Sequence, residues 1–170
     1  MGRVMDFTLD DNKREIQLTT VEGNRQLALE LVQQARSEIF IASYDFDSRI
    51  YSNEAFVEAL SAFVRGHRNA HVHILVWKTH QAIKQGHRLI ELAQRLSSSI
   101  KIHEPDHVHA EFIESYMVVD GTAYFRRPLA DRFEGAGSLH APLIARELKE
   151  QFRTMWERST PSSEFRRLKI

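Results

Sequence analysis

The chain has 170 residues, 23 Lys and Arg against 23 Asp and Glu, nine His and no Cys. That length buries one full core, and the charge balance argues against a whole-surface drive toward nucleic acid or anionic lipid. Without cysteine there is no disulfide, no thiolate catalysis and no thiolate metal site, a composition that fits a reducing compartment. No apolar run approaches the roughly 20 residues that span a bilayer. The opening MGRVMDFTLDDNKREI lacks the apolar core of a secretory signal, and Asp6 stands where a myristoylation motif needs Ser or Thr. These features predict a cytoplasmic protein.

In chain order, residues 1–14 read as a polar flexible arm. Glu15–Leu18 suits a short strand. Thr19 and Glu22 have capping-box spacing ahead of Leu27, Leu31 and Ala35, which recur at helical period. Ile39–Tyr44 is a nearly continuous apolar run of strand length, which predicts a strand covered on both faces. Asp45-Phe46-Asp47-Ser48 ends it. Ser52 or Asn53 then caps a helix with Phe56, Leu60, Phe63 and Val64 on its core face, closed by Gly66. Val72–Trp77 is a third strand. One helix is expected from Thr79 to Leu96, with Gly86 among its inward positions, and Ile100–Ile102 makes a fourth strand.

His103–His109 reads as a polar loop leading into a hairpin. Tyr116–Val119 and Thr122–Phe125 flank Asp120-Gly121, and both turn residues tolerate positive φ. Pro128–Ala141 reads as irregular. Pro142 suits the first turn of a last helix carrying Ile144, Leu148, Phe152, Met155 and Trp156 on one face. Residues 159–170 read as a basic tail, leaving 15–158 as the domain. Alternating strands and helices followed by a hairpin predict an α/β fold: a mixed, largely parallel sheet with helices on both faces.

Four stretches in this order carry a family likeness: ARSEIFIASYDFD, ALSAFVRGHRNAHVHILVW, YMVVDG and ELKEQFRTMWE. Together they resemble one half of a phospholipase D-like protein, over roughly residues 15–158, of a kind met in bacteria. The family's signature is His-x-Lys-x4-Asp, with a small pair and an Asn after the turn. The resemblance implies a histidine nucleophile, a lysine holding phosphoryl oxygens, and a second copy whose histidine protonates the leaving group. Registered on Asp120, the signature puts Ile113 at the His position and Ser115 at the Lys position, with Arg126-Arg127-Pro128 where the small residues belong. Isoleucine cannot attack phosphorus, and serine carries no charge to hold it. A degenerate, non-catalytic member is therefore expected, with no cofactor.

His109 is the alternative nucleophile. His109-Ala110-Glu111-Phe112 imitates the family's His-x-Lys-Phe four residues early, an even shift that keeps the strand face, with Asp120 in support. Glu111 in place of lysine would repel the phosphate. Arg126 and Arg127 are candidates for holding a phosphate or carboxylate, or for salt bridges to Glu114, Asp131 or Glu134. Asp45 and Asp47 follow a central strand, where open α/β sheets place ligands and where turns also place aspartates. His103, His107 and His109 are weak metal candidates of no established spacing. The resemblance also implies pairing, either as a homodimer or with another protein domain. An acetyltransferase domain fused to it or encoded beside it would suit.

Overall fold

The computed structural model describes residues 14–167. Eight strands form one mixed sheet in the order β1-β7-β6-β5-β2-β3-β4-β8. They are β1 (Ile16–Leu18), β2 (Glu38–Ser43), β3 (His71–Val76), β4 (Ile100–Glu104), β5 (Ser115–Val119), β6 (Ala123–Arg127), β7 (Gly135–Ser138) and β8 (Thr160–Pro161). The parallel pairings are β2 with β3 and β3 with β4, at the centre. The hairpin strand β5 pairs antiparallel with β2, and β6, β7 and β1 continue outward antiparallel.

The helices are α1 (Val21–Gln34), α2 (Ser48–Tyr51), α3 (Glu54–Gly66), α4 (Thr79–Lys84), α5 (Arg88–Arg95), α6 (Pro142–Glu157) and α7 (Ser163–Arg167). Strand alternation sorts the core into two layers. Ile39, Ile41, Val72, Ile74, Met117, Val119 and Phe125 meet α1, α3 and α5 on one face. Phe40, Ala42, Leu75, Tyr116, Val118 and Tyr124 meet α6 on the other. The expected mixed α/β fold with helices on both faces is found, but the sheet is not largely parallel: only β2–β3 and β3–β4 are parallel, and the hairpin and edge strands make the other pairings antiparallel.

Local details differ from the sequence reading. The side chain that caps α1 is Thr20, accepting from Gly23 N, not Thr19. The single helix over 79–96 is two helices. The chain turns through Gly86 at φ 67°, and His87 caps α5 by accepting from Leu89 N. A short helix, α2, follows Asp47, which caps it. Residues 135–138 are a strand and not a loop. Two glycines hide it from β propensity, yet a Cβ at Gly137 would lie 2.6 Å from the Tyr124 carbonyl oxygen.

The proposed tail is also corrected. Thr160–Pro161 pair with β4, and Phe165 is 5% exposed within the main core, so residues 159–167 belong to the domain. The expected arm over residues 1–14 lies outside the described residues except for Arg14. Among the described residues no helix is long and apolar enough to cross a membrane.

The hairpin turn forms as expected. Asp120 and Gly121 sit at φ 55° and 66°, and Thr122 N donates to the Val119 carbonyl at 3.0 Å. Asp120 does more than turn the chain. Its carboxylate accepts from the backbone N–H groups of Arg36, Ser37 and Glu38 and from the Ser37 hydroxyl, at 2.8 to 3.0 Å. It thereby ties the hairpin to the α1–β2 junction. Burial acts to raise its pKa, but these donors outweigh it and hold the carboxyl below the ordinary range.

Candidate functional site: a buried charge cluster at the open end of the sheet

Three residues lie in one row across the sheet. Ser43 ends β2, Ser115 begins β5 and Arg127 ends β6; Ser43 is opposite Ser115, and Ser115 opposite Arg127. All three share the parity of Met117 and Phe125, so they project toward α1 and α2. The Ser115 hydroxyl is 3.3 Å from those of both Ser43 and Tyr51. Phe46, at φ 52°, donates its N–H to Ser43 Oγ at 3.0 Å, which bends the chain away from the strand. Burial pushes the Tyr51 phenol up to about 12, so it stays protonated and can donate.

The charges gather beside this row. Arg127 is fully buried. Its Nη1 donates to the carbonyls of Ala130 at 2.9 Å and Arg132 at 3.2 Å, and stands 4.0 Å from Asp47 Oδ2. Arg49 binds Asp47 through its backbone N, Nε and Nη2, at 2.9, 3.1 and 2.9 Å. The guanidinium carbons of Arg49 and Arg127 lie 4.6 and 5.6 Å from the ring centroid of Phe133. Burial, and then the charge of Asp47, raise the pKa of Asp45, against the opposing pull of Arg127.

The structure brings Asp45, Asp47 and Arg127 together and sends Arg126 elsewhere. Arg126 is the next residue on the strand, so it faces the other way, and its Nε donates to Glu114 at 2.7 Å. Asp120 lies at the far end of β5 from Ser115, roughly 17 Å along the strand. Ile113, which the family resemblance puts at its histidine position, is 48% exposed.

His109 is not on a strand. Residues 107–109 form a 3-10 turn and β5 starts only at Ser115, so the even-shift argument has no strand to act along. The histidine lines a cavity of about 410 Å³ with Val108, Glu111, Phe112, Gln151, Thr154 and Met155, on the α6 side of the sheet. His103 stacks on Trp156 with centroids 3.9 Å apart and bonds Ser159 Oγ at 2.8 Å. His107 is almost fully exposed beside Asp106. Among the described residues no group of three or more His, Asp or Glu side chains is placed to hold a metal.

Sequence reasoning missed Arg49, Tyr51, Phe133 and His87. His87 is 2% exposed and stacks on Phe46 with centroids 4.1 Å apart, its Nε2 lying 3.0 Å from the Phe46 carbonyl. A histidine after a glycine carries no signal of such a role. Burial holds its pKa down to about 4, against the pull of the Phe46 carbonyl and Asp47. An unfolded imidazole takes up its proton near pH 6.5 and this one only near 4. The stabilising contribution is therefore full above about pH 6.5, falls as pH drops toward 4, and levels off below; the total is on the order of 3 kcal/mol. His73, also lowered to about 4 by burial and then by His71, acts in the same direction. Urea midpoints are expected to decline over this window in the wild type and to decline less in His87→Gln.

Comparison with solved structures places the fold in a class, the phospholipase D-like fold. The chain matches Nuc from Salmonella typhimurium, a phospholipase D family member, at TM-score 0.56 and 16% identity, over 81% of this chain and 90% of that one. It matches NucT from Helicobacter pylori at TM-score 0.62 and 14% identity, over 88% and 99%. TrmBL2, an archaeal chromatin protein described as showing a novel mode of DNA binding, matches at TM-score 0.64 and 15% identity, over 88% of this chain but only 54% of its own. No curated protein matches the chain. Within that class the chain belongs to the family described as "Domain of unknown function (DUF7931)", whose model covers residues 20–168.

Proposed function

We propose that this chain is a non-catalytic phospholipase D-type domain that acts by assembly, pairing with a second copy or with another protein domain. The observation that carries the reading is the fate of the two positions the chemistry needs. Ile113 offers no nucleophile. Ser115 is buried and turned into a hydroxyl network with Ser43 and Tyr51. The buried cation beside them, Arg127, faces the chain's own Asp47 and carbonyl oxygens. Arg126, the other cation considered for anion binding, is paired with Glu114.

The loops at this end of the sheet support pairing. Ala130 N donates to the Ile113 carbonyl at 2.8 Å, which brings the 129–130 loop alongside Ile113. Ile113 and Leu129 are 48% and 40% exposed, an arrangement that a partner surface would cover. A phosphodiesterase built on His109 draws support from one feature, its buried Nε2 without a hydrogen-bond partner. The cavity around it contains Glu111 and no cation to hold a phosphate. The DNA binding ascribed to TrmBL2 draws no support from a whole-surface charge here, since the net charge is zero.

Two measurements test the reading. Hydrolysis of bis-p-nitrophenyl phosphate is expected at buffer background for wild type and His109→Ala alike; turnover lost in the variant would establish the enzyme instead. Light scattering after gel filtration is expected to show a wild-type dimer and a monomeric Ile113→Glu/Leu129→Glu variant. A wild-type monomer at every concentration would remove self-pairing and leave only the partner-domain form.

A further inference from the structure

The charge cluster contains an imbalance that assembly does not use. A guanidinium offers five N–H donors. Those on Arg127 Nη1 meet two carbonyls, while its Nε and Nη2 are buried and meet no acceptor. The nearest carboxylate oxygen, Asp47 Oδ2, is 4.0 Å from Nη1, an ion-pair distance but too long for a hydrogen bond. That same oxygen lies 2.9 Å from Arg49 Nη2. The Arg49 side chain is 61% exposed and that of Asp47 5%, so Arg49 forms the solvent side of the cluster. Asp45, whose Oδ1 is also buried and unpartnered, sets a second carboxylate beside the pair.

Two guanidiniums sharing one carboxylate oxygen, the inner one with donors to spare, have the geometry of an oxyanion seat. We propose that Arg127, Arg49 and Phe133 form such a seat, filled here by the chain's own Asp47, and that an external oxyanion of carboxylate size competes with Asp47 for it. The ligand chemistry is that of a single planar or tetrahedral oxyanion group. A carboxylate fits most directly, because a carboxylate already occupies the position. The proposal does not depend on the assembly reading: a monomer could have the seat, and a dimer could lack it.

The experiment is replacement of the internal anion from solution. Thermal unfolding of wild type and Asp47→Ala is followed with acetate, with inorganic phosphate, and with sodium chloride at matched ionic strength. Asp47→Ala is expected to unfold at lower temperature. Acetate or phosphate should raise its midpoint several-fold more than that of wild type, and chloride should not. Arg127→Met in the Asp47→Ala background should abolish that rescue. Rescue by acetate alone identifies a carboxylate ligand, and rescue by phosphate alone a phosphoryl ligand. Equal shifts in wild type and variant, or rescue that survives Arg127→Met, overturn the proposal. Should Asp47→Ala not fold, the Arg127 Nε–H resonance is followed in the near-isosteric Asp47→Asn during the same titrations. Movement supports the seat, and a stationary signal overturns it.

Discussion

Arg127→Met is expected to destabilise the fold by about 3–5 kcal/mol, the cost of leaving a buried ion pair with one partner. The arginine is fully buried at the end of β6, and its charge faces Asp47 and Asp45. Methionine fills much of the volume, so lost packing is a small part of the effect. What remains is a pair of carboxylates with only the exposed Arg49 to offset them, together with the carbonyls of Ala130 and Arg132 deprived of their donor. At this chain length the loss corresponds to a fall in melting temperature on the order of 10 °C. Adding Asp47→Asn should restore part of it, because the neutral amide removes the uncompensated charge. If the double variant is no more stable than the single one, the destabilisation is steric and the electrostatic account fails. Arg127→Lys should fall between wild type and Met, since it keeps the charge and loses the fork.

Asp120→Ala is expected to cost about 3 kcal/mol, because one carboxylate satisfies three backbone N–H groups and a hydroxyl. Asp120→Asn separates the contributions. It tolerates the positive φ of 55° that Asp120 adopts, so the backbone is unstrained and only the charge and hydrogen bonding of the side chain change. Its amide nitrogen must face at least one N–H donor, and a loss of about 2 kcal/mol is expected. The pH dependence has a definite sign. The folded carboxyl lies below its unfolded value, so the contribution is present above about pH 4 and is lost as pH falls through the folded pKa. Acid unfolding of Asp120→Asn should therefore show a shallower limb below pH 4 than the wild type. Parallel limbs would mean that Asp120 titrates alike in both states.

These two aspartate systems separate what was legible from what was not. Asp120-Gly121 between two apolar runs specified the hairpin, since the turn is a local property of residues that accept positive φ. The same residue's bonds to Arg36, Ser37 and Glu38 lie more than eighty positions away in the chain and left no local trace. Asp45 and Asp47 read first as turn formers and only second as pocket residues. Asp47 proves to be a helix cap and also the counter-ion shared by two arginines. The His109 alternative rested on strand parity, and parity holds only while the chain is extended. The turn at 107–109 ended that relation and left His109 on the α6 side.

Apolar periodicity alone determined the alternating strands and helices, the two-faced burial of β2 and β3, and the closing helix α6. Each follows from how side chains repeat along a regular backbone. Registered on Asp120, the stretch around ESYMVVDG also puts Ile113 and Ser115 where the family resemblance implies a histidine and a lysine. Tertiary structure decided the rest: the strand at 135–138, the packing of residues 159–167, and the opposite fates of Arg126 and Arg127. The reason is that these depend on groups far apart in sequence. Whether an arginine pairs with Glu114 on one face or lies buried beside Asp47 on the other is set by what the sheet brings beside it.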